Sequence, residues 1–563
     1  MTPPDRLHQF VSRCFSNITP FSTLVLEHPL RPYQVEPLNA ILDSILSRRG
    51  LEFLLIFPRQ SGKNEAVAQL LVYLLNLYQR PGGNIVYAAT GDGVGLGIQR
   101  LEQRLENRWN TGKWRVRARP DRRLLGRAAV VFLSSHPNAF ARGQTAHHLL
   151  VVDETQDQVA SHIEAVFTPM RAAHTATAVY LGTVRTTSDF LWQKKRELER
   201  DQARDGLRRV FLVDPAQVTA QNPAYAQFLE AQVRRHGRHH PIVASEYFLE
   251  PIDGAGGLFP PRRLALMRGT HARQRQPALA ASLSRAMSRG DQREQRGDLA
   301  PQAGRLYAAT LDLAGQDEAA TDPLAQLARP GRDYTVATVF RIQYPPPGLA
   351  ASSSRVQRGD LARQSHAPGP TYQALDVFVD HGSRHFEDHP GRPALVHRLL
   401  AWLQHWQIAH LVADASGVGQ GIVSWLASAL GPRTVTGYEF AGPGKKAALG
   451  SLFLSLVETG RFQYWTGDEE EPGSDGWWFW KQASACAYQV PPEGRFDHDL
   501  RWEVPPGHRT DTPTGPQPTH DDRLLSAALV AELDRLLRKG HIILGTAESA
   551  VIQPYDPLAD LHY

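Results

Sequence analysis

The chain has 563 residues, too many for one small binding module and enough for two to four domains, each able to bury its own core. Its 62 Lys and Arg against 57 Asp and Glu leave a formal charge of +5, carried mostly by arginine, which excludes an acidic tail and a histone-like polycation and fits a partner that carries phosphates. Cys14 and Cys486 stand far apart without CxxC spacing, the start Met1-Thr2-Pro3-Pro4-Asp5-Arg6 has no basic-then-apolar signal design, and no apolar run approaches the roughly 18 to 20 residues of a bilayer span, so a disulfide framework, a zinc knuckle and a membrane segment are excluded and a soluble protein of a reducing compartment is expected.

From about residue 50 to 250, apolar runs of strand length alternate with helical patterns, which predicts α/β units around a mainly parallel sheet. Ahead of them, Leu30-Arg31-Pro32-Tyr33-Gln34 precedes a helix over Glu36 to Leu46 and offers a ring and an amide to an adenine base, or is a plain helix entry. The predicted strands are Leu54 to Phe57, Ile85 to Ala89, Ala129 to Leu133, Leu149 to Val152 and Ala178 to Leu181. The first runs into Pro58-Arg59-Gln60-Ser61-Gly62-Lys63-Asn64 and then the helix Glu65 to Tyr78. A phosphate cradle needs this context, because backbone N–H groups and a helix N-terminus face the anion while Lys63 reaches the terminal phosphates. The usual pattern has Gly at the start of the loop and Ser or Thr after the Lys; Pro58 and Asn64 stand there instead.

About 90 residues after Lys63, His148-Leu149-Leu150-Val151-Val152-Asp153-Glu154 is an apolar strand ending in two acids. In nucleotide hydrolases of this type the first acid holds magnesium through water and the second polarises the attacking water, roles that suit Asp153 and Glu154. Val179-Tyr180-Leu181-Gly182-Thr183 ends on a hydroxyl, where motor ATPases place a sensor of the γ-phosphate.

Gly254-Ala255-Gly256-Gly257 reads as a hinge between two halves. Two Arg-, Gln- and Ser-rich stretches without apolar period, about 270 to 303 and 345 to 370, read as flexible insertions that share a hexapeptide, Gln295 to Ala300 and Gln357 to Ala362. Between and after them come strand-like runs at Leu306 to Leu313, Tyr334 to Ile342, Ala374 to Val379 and His410 to Ala413, with a helix around 394 to 406: a second α/β domain. Two of these strands end on acids, Asp312 and Asp414, and His520-Asp521-Asp522 heads an amphipathic helix over Arg523 to Leu537. Acids at two strand ends and one helix start can converge on one sheet edge as the oxygen-only ligands that magnesium or manganese prefers, and two such ions about 4 Å apart would clamp the attacking and leaving oxygens of a phosphodiester. Singly, Asp521 or Asp522 is also explained as an N-cap and Asp414 as a turn residue. Asp317 and Asp333 rank below Asp312 as helpers. Trp477-Trp478-Phe479-Trp480 fits a packed helix edge better than a base-stacking surface, Asp468 to Glu471 a solvated loop, and the pairs His147-His148 and His239-His240 lack a third ligand at zinc spacing.

A phosphate-loop ATPase followed by a carboxylate nuclease resembles the large terminase subunit of tailed bacteriophages over nearly the whole chain. Arg31-Pro32-Tyr33-Gln34 is similar to its adenine motif, Arg59-Gln60-Ser61-Gly62-Lys63 to its Walker A loop, Val151-Val152-Asp153-Glu154 to its Walker B strand, Leu181-Gly182-Thr183 to its coupling motif, and Asp312, Asp414 and Asp521-Asp522 to its nuclease acids. Arg142, in Phe140-Ala141-Arg142-Gly143, looks like the family's arginine finger, which reaches into a neighbouring subunit. The resemblance implies an additional-strand, catalytic-glutamate ATPase domain over 1–255, hinge and insertion over 256–304, an RNase H-like nuclease domain over 305–540 and a tail over 541–563. It implies ATP with Mg2+ at the first site, where the Asn64 amide oxygen replaces the usual hydroxyl, and two Mg2+ or Mn2+ at the second. It also implies double-stranded DNA, a portal protein and a small terminase subunit as partners, a ring of copies (a pentamer in the family), no membrane, and residence in the host cytoplasm on the procapsid but not in the mature virion. The competing readings are a helicase-like translocase, which would need a second motor domain where the acid-ended strands stand, and a non-enzymatic nucleotide-sensing assembly factor or prophage remnant, which Asn64 favours.

Overall fold

The computed structural model describes residues 9, 11–91, 93–139, 141–275, 306–313, 334–345, 369–380, 386, 393–417, 419–442, 444–491, 494–542 and 544. Asp317, Asp333, both copies of the hexapeptide and most of the two Arg-rich stretches lie outside them. The chain divides into two compact units: Met1–Gln232 with Pro241–Gly254 and Pro491–Gly494, and Val233–His240 with Ala255–Val490 and Arg495–Tyr563. Among the described residues no helix is long and apolar enough to cross a membrane.

The first unit is built on an eight-stranded sheet. Its strands are β1 (Glu52–Ile56), β2 (Gly83–Ala89), β3 (Trp114–Ala118), β4 (Asp121–Leu125), β5 (Ala128–Ser134), β6 (Leu149–Val152), β7 (Thr177–Gly182) and β8 (Val210–Leu212), in the order β3-β4-β5-β2-β6-β7-β1-β8. From β5 to β8 all neighbours run parallel, and β3 and β4 add an antiparallel edge. The central strands are continuous apolar runs because helices cover both faces of a parallel sheet: Leu54, Ile56, Val86, Leu150, Val152 and Ala178 are fully buried in one cluster. Strand β7 separates the phosphate-loop strand β1 from the acid-ended β6, with Ile56 opposite Gly182 and Val152 opposite Tyr180. This is the additional-strand arrangement, and it aligns the carboxyl ends of three strands along one edge, where open α/β sheets bind ligands.

The second unit carries a six-stranded mixed sheet of β10 (Leu306–Asp312), β11 (Thr335–Gln343), β12 (Thr371–Asp380), β13 (His410–Asp414), β14 (Val435–Tyr438) and β15 (Phe462–Gln463), ordered β14-β13-β10-β11-β12-β15. β10, β11 and β12 form an antiparallel meander, and β13 and β14 join β10 in parallel on the other side, which is the RNase H-like order. Leu311 lies opposite Ala413, so the register brings Asp312 and Asp414, the next residues, to the same edge. The helix Leu395–His405 buries Leu399, Trp402 and Leu403 against this sheet, and Trp406, just past its end, joins the same core.

Several expectations need correction. Within Gly254 to Gly257, read as a hinge between two halves, the boundary between the units does fall after Gly254, but Ala255–Gly257 is strand β9, paired antiparallel with β16 (Ala487–Gln489), which also pairs with β17 (Arg501–Glu503). The helix Pro261–Met267 follows it, so the first part of 256–304 is built structure of the second unit. The helix expected over Glu36 to Leu46 already begins at Pro32, because Pro pre-sets the first helical φ and the Gln34 side chain accepts from the Arg31 N–H at 2.8 Å. The helix expected over Arg523 to Leu537 is two segments, Asp522–Ala528 and Val530–Arg538, tightened at Leu529, whose carbonyl accepts from Glu532 N three residues on at 3.1 Å. A hairpin of β18 (Arg509–Thr512) and β19 (Gly515–Pro518) precedes them. Trp477, Phe479 and Trp480 are buried on the helix Asp475–Ala485, as core packing requires.

Candidate functional site

At the end of β1 the chain turns through Pro58 to Gly62 into the helix Lys63–Tyr78. The turn needs left-handed backbone at Gln60 (φ 60°) and Gly62 (φ 92°). A Cβ at Gly62 would also lie 2.8 Å from Gln34 Nε2, so this position demands glycine twice over. The motif expected to meet an adenine base instead fastens this loop: Tyr33 OH donates to the Ser61 carbonyl at 2.7 Å, Arg31 Nη1 to the same oxygen at 3.3 Å, and Gln34 Nε2 to the Gly62 carbonyl at 2.9 Å. Both ends of the Gln34 amide take part, each in one hydrogen bond. Arg59 is held bidentately by Glu246 at 2.6 and 2.8 Å.

Lys63 is buried and sits 3.2 Å from Glu154 Oε2 and 3.8 Å from Asp153 Oδ1. Burial disfavours its ammonium, but Glu154 and Asp153 outweigh that and raise its pKa. Burial pushes the Glu154 carboxyl up, yet Lys63, Gln156 and Arg59 bring it below its ordinary range. Asp153 stays raised, because burial and the neighbouring Glu154 together exceed the pull of Lys63. Its Oδ2 accepts from Tyr87 OH at 2.5 Å and its Oδ1 from the Glu154 N–H at 2.9 Å. Glu154 is itself left-handed, at φ 45°, a cost of roughly 1–3 kcal/mol for a non-glycine residue that the surrounding contacts must over-determine.

One residue that the sequence gave no reason to single out joins these parts. Gln156 donates through Nε2 to Glu154 Oε2 at 2.6 Å and accepts through Oε1 from the Thr183 N–H at 3.2 Å, so one buried amide spans the ends of β6 and β7. The Thr183 hydroxyl donates to the Phe57 carbonyl at 3.3 Å, at the end of β1. Asn64 Oδ1 is buried and has no hydrogen-bond partner among the described residues, which fits an oxygen waiting for a magnesium ion. Arg142 is exposed, with no hydrogen bond or ion pair among the described residues.

In the second unit Asp312, Asp414 and Asp522 are all buried. The helix Asp522–Ala528 packs on β10 and β11, and Ser526 Oγ meets Thr338 Oγ1 at 2.9 Å. Its start is braced by Arg523 to Asp475 Oδ1 at 2.7 Å, and Asp475 in turn by Arg273, which also holds Asp376 at 2.7 Å. The Asp312 carboxyl is pushed well above its ordinary range, first by burial and then by Asp522, Asp414 and Asp521, while Lys446 opposes them. Asp414 is raised by burial, partly offset by Ser416, whose N–H donates to it at 2.8 Å. Asp521 occupies the N-cap position but makes no capping bond with its side chain, which pairs with Lys446 at 3.2 Å. Asp312 therefore senses the other three acids. Among the described residues no three His, Cys, Asp or Glu side chains stand as a group that could hold a metal ion. By donor type the set fits a hard divalent cation; its like charges, with Asp521 drawn to Lys446, leave it open.

No protein-family model and no curated protein matches the chain. Solved structures do. The large terminase of a thermophilic bacteriophage, in its second crystal form, is 9% identical over 90% of this chain and 99% of its own, with a TM-score of 0.43. The HK97 bacteriophage large terminase is 12% identical over 93% of this chain and 99% of its own, at 0.35. The large terminase nuclease from thermophilic phage G20c, with bound magnesium, is 15% identical over 49% of this chain and 96% of its own, at 0.28.

Proposed function

We propose that the chain is the large subunit of a viral DNA-packaging motor, hydrolysing ATP in its first unit to drive double-stranded DNA into a procapsid and cutting that DNA in its second. The observation that carries this reading is the presence in one chain of a phosphate loop whose Lys63 lies on Asp153 and Glu154, and of an RNase H-like sheet at whose edge Asp312 feels the charges of Asp414, Asp521 and Asp522.

In this reading the loop N–H groups and Lys63 receive the β and γ phosphates, and Lys63 leaves Glu154 as it does so. Glu154, freed on one side and still held by Gln156, accepts a proton from the attacking water and fixes its direction. Asp153 and the Asn64 amide oxygen would hold the magnesium ion; Thr183 would report the γ-phosphate through Gln156. Arg142 would complete the site of a neighbouring copy in a ring, a pentamer in terminases, seated on a portal with a small subunit in the host cytoplasm. Asp312, Asp414, Asp521 and Asp522 would hold two magnesium or manganese ions. Divalent ions would supply phosphate neutralisation at the first site, and phosphate neutralisation with an activated water at the second. Cleavage is then largely indifferent to sequence, because backbone phosphates do the positioning.

The test is packaging itself. Purified chain, procapsids bearing their portal, and linear duplex DNA should yield ATP-dependent protection of the DNA from added nuclease. Strand separation without protection would favour the helicase-like translocase, and nucleotide binding without turnover the sensing factor.

A further inference from the structure

Beside the acids of the second unit stands a cation, Lys446, that no part of the nuclease reading requires. Lys446 Nζ lies 3.2 Å from Asp521 Oδ2, and its charge reaches Asp312. An exposed ion pair contributes about 0–1 kcal/mol and would explain nothing further. Three observations show that this lysine is held in place. Its carbonyl accepts from Trp502 Nε1 at 2.7 Å, and its ammonium lies 5.3 Å from the centre of the same ring, which is buried. That ring fits because residue 450, one turn on, is glycine: a Cβ there would come within 2.5 Å of Trp502 Nε1. The carbonyl of Lys445 accepts from Tyr438 OH at 2.8 Å, and Tyr438 is the β14 residue opposite Asp414, so the helix start is tied to the acid-bearing edge.

The position is also electrostatically costly. Lys445 and Lys446 open the helix Lys445–Glu458, whose first turn contains no acid, although cations are disfavoured at the positive end of a helix. Asp521 offsets one of the two charges only while it is not engaged elsewhere. Four carboxylates and two divalent ions cancel, so in a loaded site the Lys446 charge is left over, opposite in sign to one phosphate.

We propose that Lys446 is a phosphate-binding residue of the nuclease site, pairing with Asp521 until ions and DNA arrive and then donating to a non-bridging oxygen of the DNA backbone. The proposal rests on the nuclease reading of the second unit. Its ligand is a phosphodiester of duplex DNA; no base is read.

Full-length wild type, Lys446→Ala and Lys446→Arg are compared on linear duplex DNA. Cleavage with Mg2+ should fall about 100-fold in Lys446→Ala. DNA binding, followed with Ca2+ replacing Mg2+ from about 50 to about 200 mM salt, should lose about 0.9 from the slope of log affinity against log salt in Lys446→Ala and keep it in Lys446→Arg. The rise in melting temperature with Mn2+ should persist in both variants, since Asp521 is then freer to meet the ion. Wild-type cleavage and salt slope in Lys446→Ala would overturn the proposal and leave the nuclease reading standing. Loss of the Mn2+ response in Lys446→Ala would make Lys446 an organiser of the acids, which also overturns it. A wild type that neither cuts DNA nor responds to Mn2+ would remove the nuclease reading and this proposal with it.

Discussion

The two acid clusters differ in who supplies the counter-charge. At the end of β6, Asp153 and Glu154 receive Lys63, a cation of the chain only 9% exposed, and hydrogen bonds from Tyr87 and Gln156 complete what Lys63 begins. Near the ends of β10 and β13, Lys446, 37% exposed, pairs with Asp521, and its charge reaches Asp312. The first cluster can hold its geometry in water, because a buried pair with satisfied hydrogen bonds offsets its desolvation cost. In the second, burial first and then Asp522, Asp414 and Asp521 raise the Asp312 pKa, so ionising these acids without added cations is costly. A chain-borne cation makes a site that stands before its ligand arrives; a site for solvent-borne cations must wait for them.

Removing Lys63 should make the first cluster behave like the second. Lys63→Ala is expected to lose ATP turnover on the order of 1000-fold and to weaken nucleotide binding. It should also gain a Mn2+-dependent rise in the melting of the first unit that wild type lacks. Turnover within a few fold of wild type would break the comparison. Gln156→Ala should show a smaller loss, about tenfold in kcat with KM for ATP within about twofold, because it deletes one hydrogen bond to Glu154 and leaves the phosphate contacts intact. A rise in KM with kcat unchanged would assign Gln156 to binding instead.

The smallest expected effect concerns Asp312. Its folded pKa lies above its unfolded value, so it favours the folded state below about pH 4 and loses that contribution as pH rises toward its folded pKa. Asp312→Asn should therefore raise the melting temperature of the ion-free protein by about 3 °C at about pH 7, less at about pH 4.5, and abolish most of the stabilisation by Mn2+. A variant less stable than wild type at neutral pH without ions would show that the acid is paired, not repelled.

Much of this was legible in the residues. Continuous apolar runs ending on Asp312, Asp414 and Asp153 gave away the strands, because a strand buried on both faces has no polar alternation to blur it. β3 and β4 were not legible: Trp114-Arg115-Val116-Arg117-Ala118 lies on an edge and shows solvent mostly charge. The loop-fastening role of Gln34 was not legible, because an amide that fastens a loop and one that meets a base look alike in sequence. Gln156 carries no pattern at all; only the closeness of β6 and β7 gives it a role. Lys446 did carry a signal, a glycine just ahead of the helix it opens, as Gly62 stands ahead of Lys63.

That one chain runs two reactions on two units is tested most directly by measuring ATP hydrolysis and Mg2+-dependent DNA cleavage side by side in Glu154→Gln and Asp414→Asn. Glu154→Gln should bind ATP, hydrolyse it at least about 100-fold more slowly and still cut DNA, whereas Asp414→Asn should stop cutting and hydrolyse ATP near the wild-type rate. ATP hydrolysis lost in Asp414→Asn with cutting intact, or cutting that persists in EDTA, would contradict it.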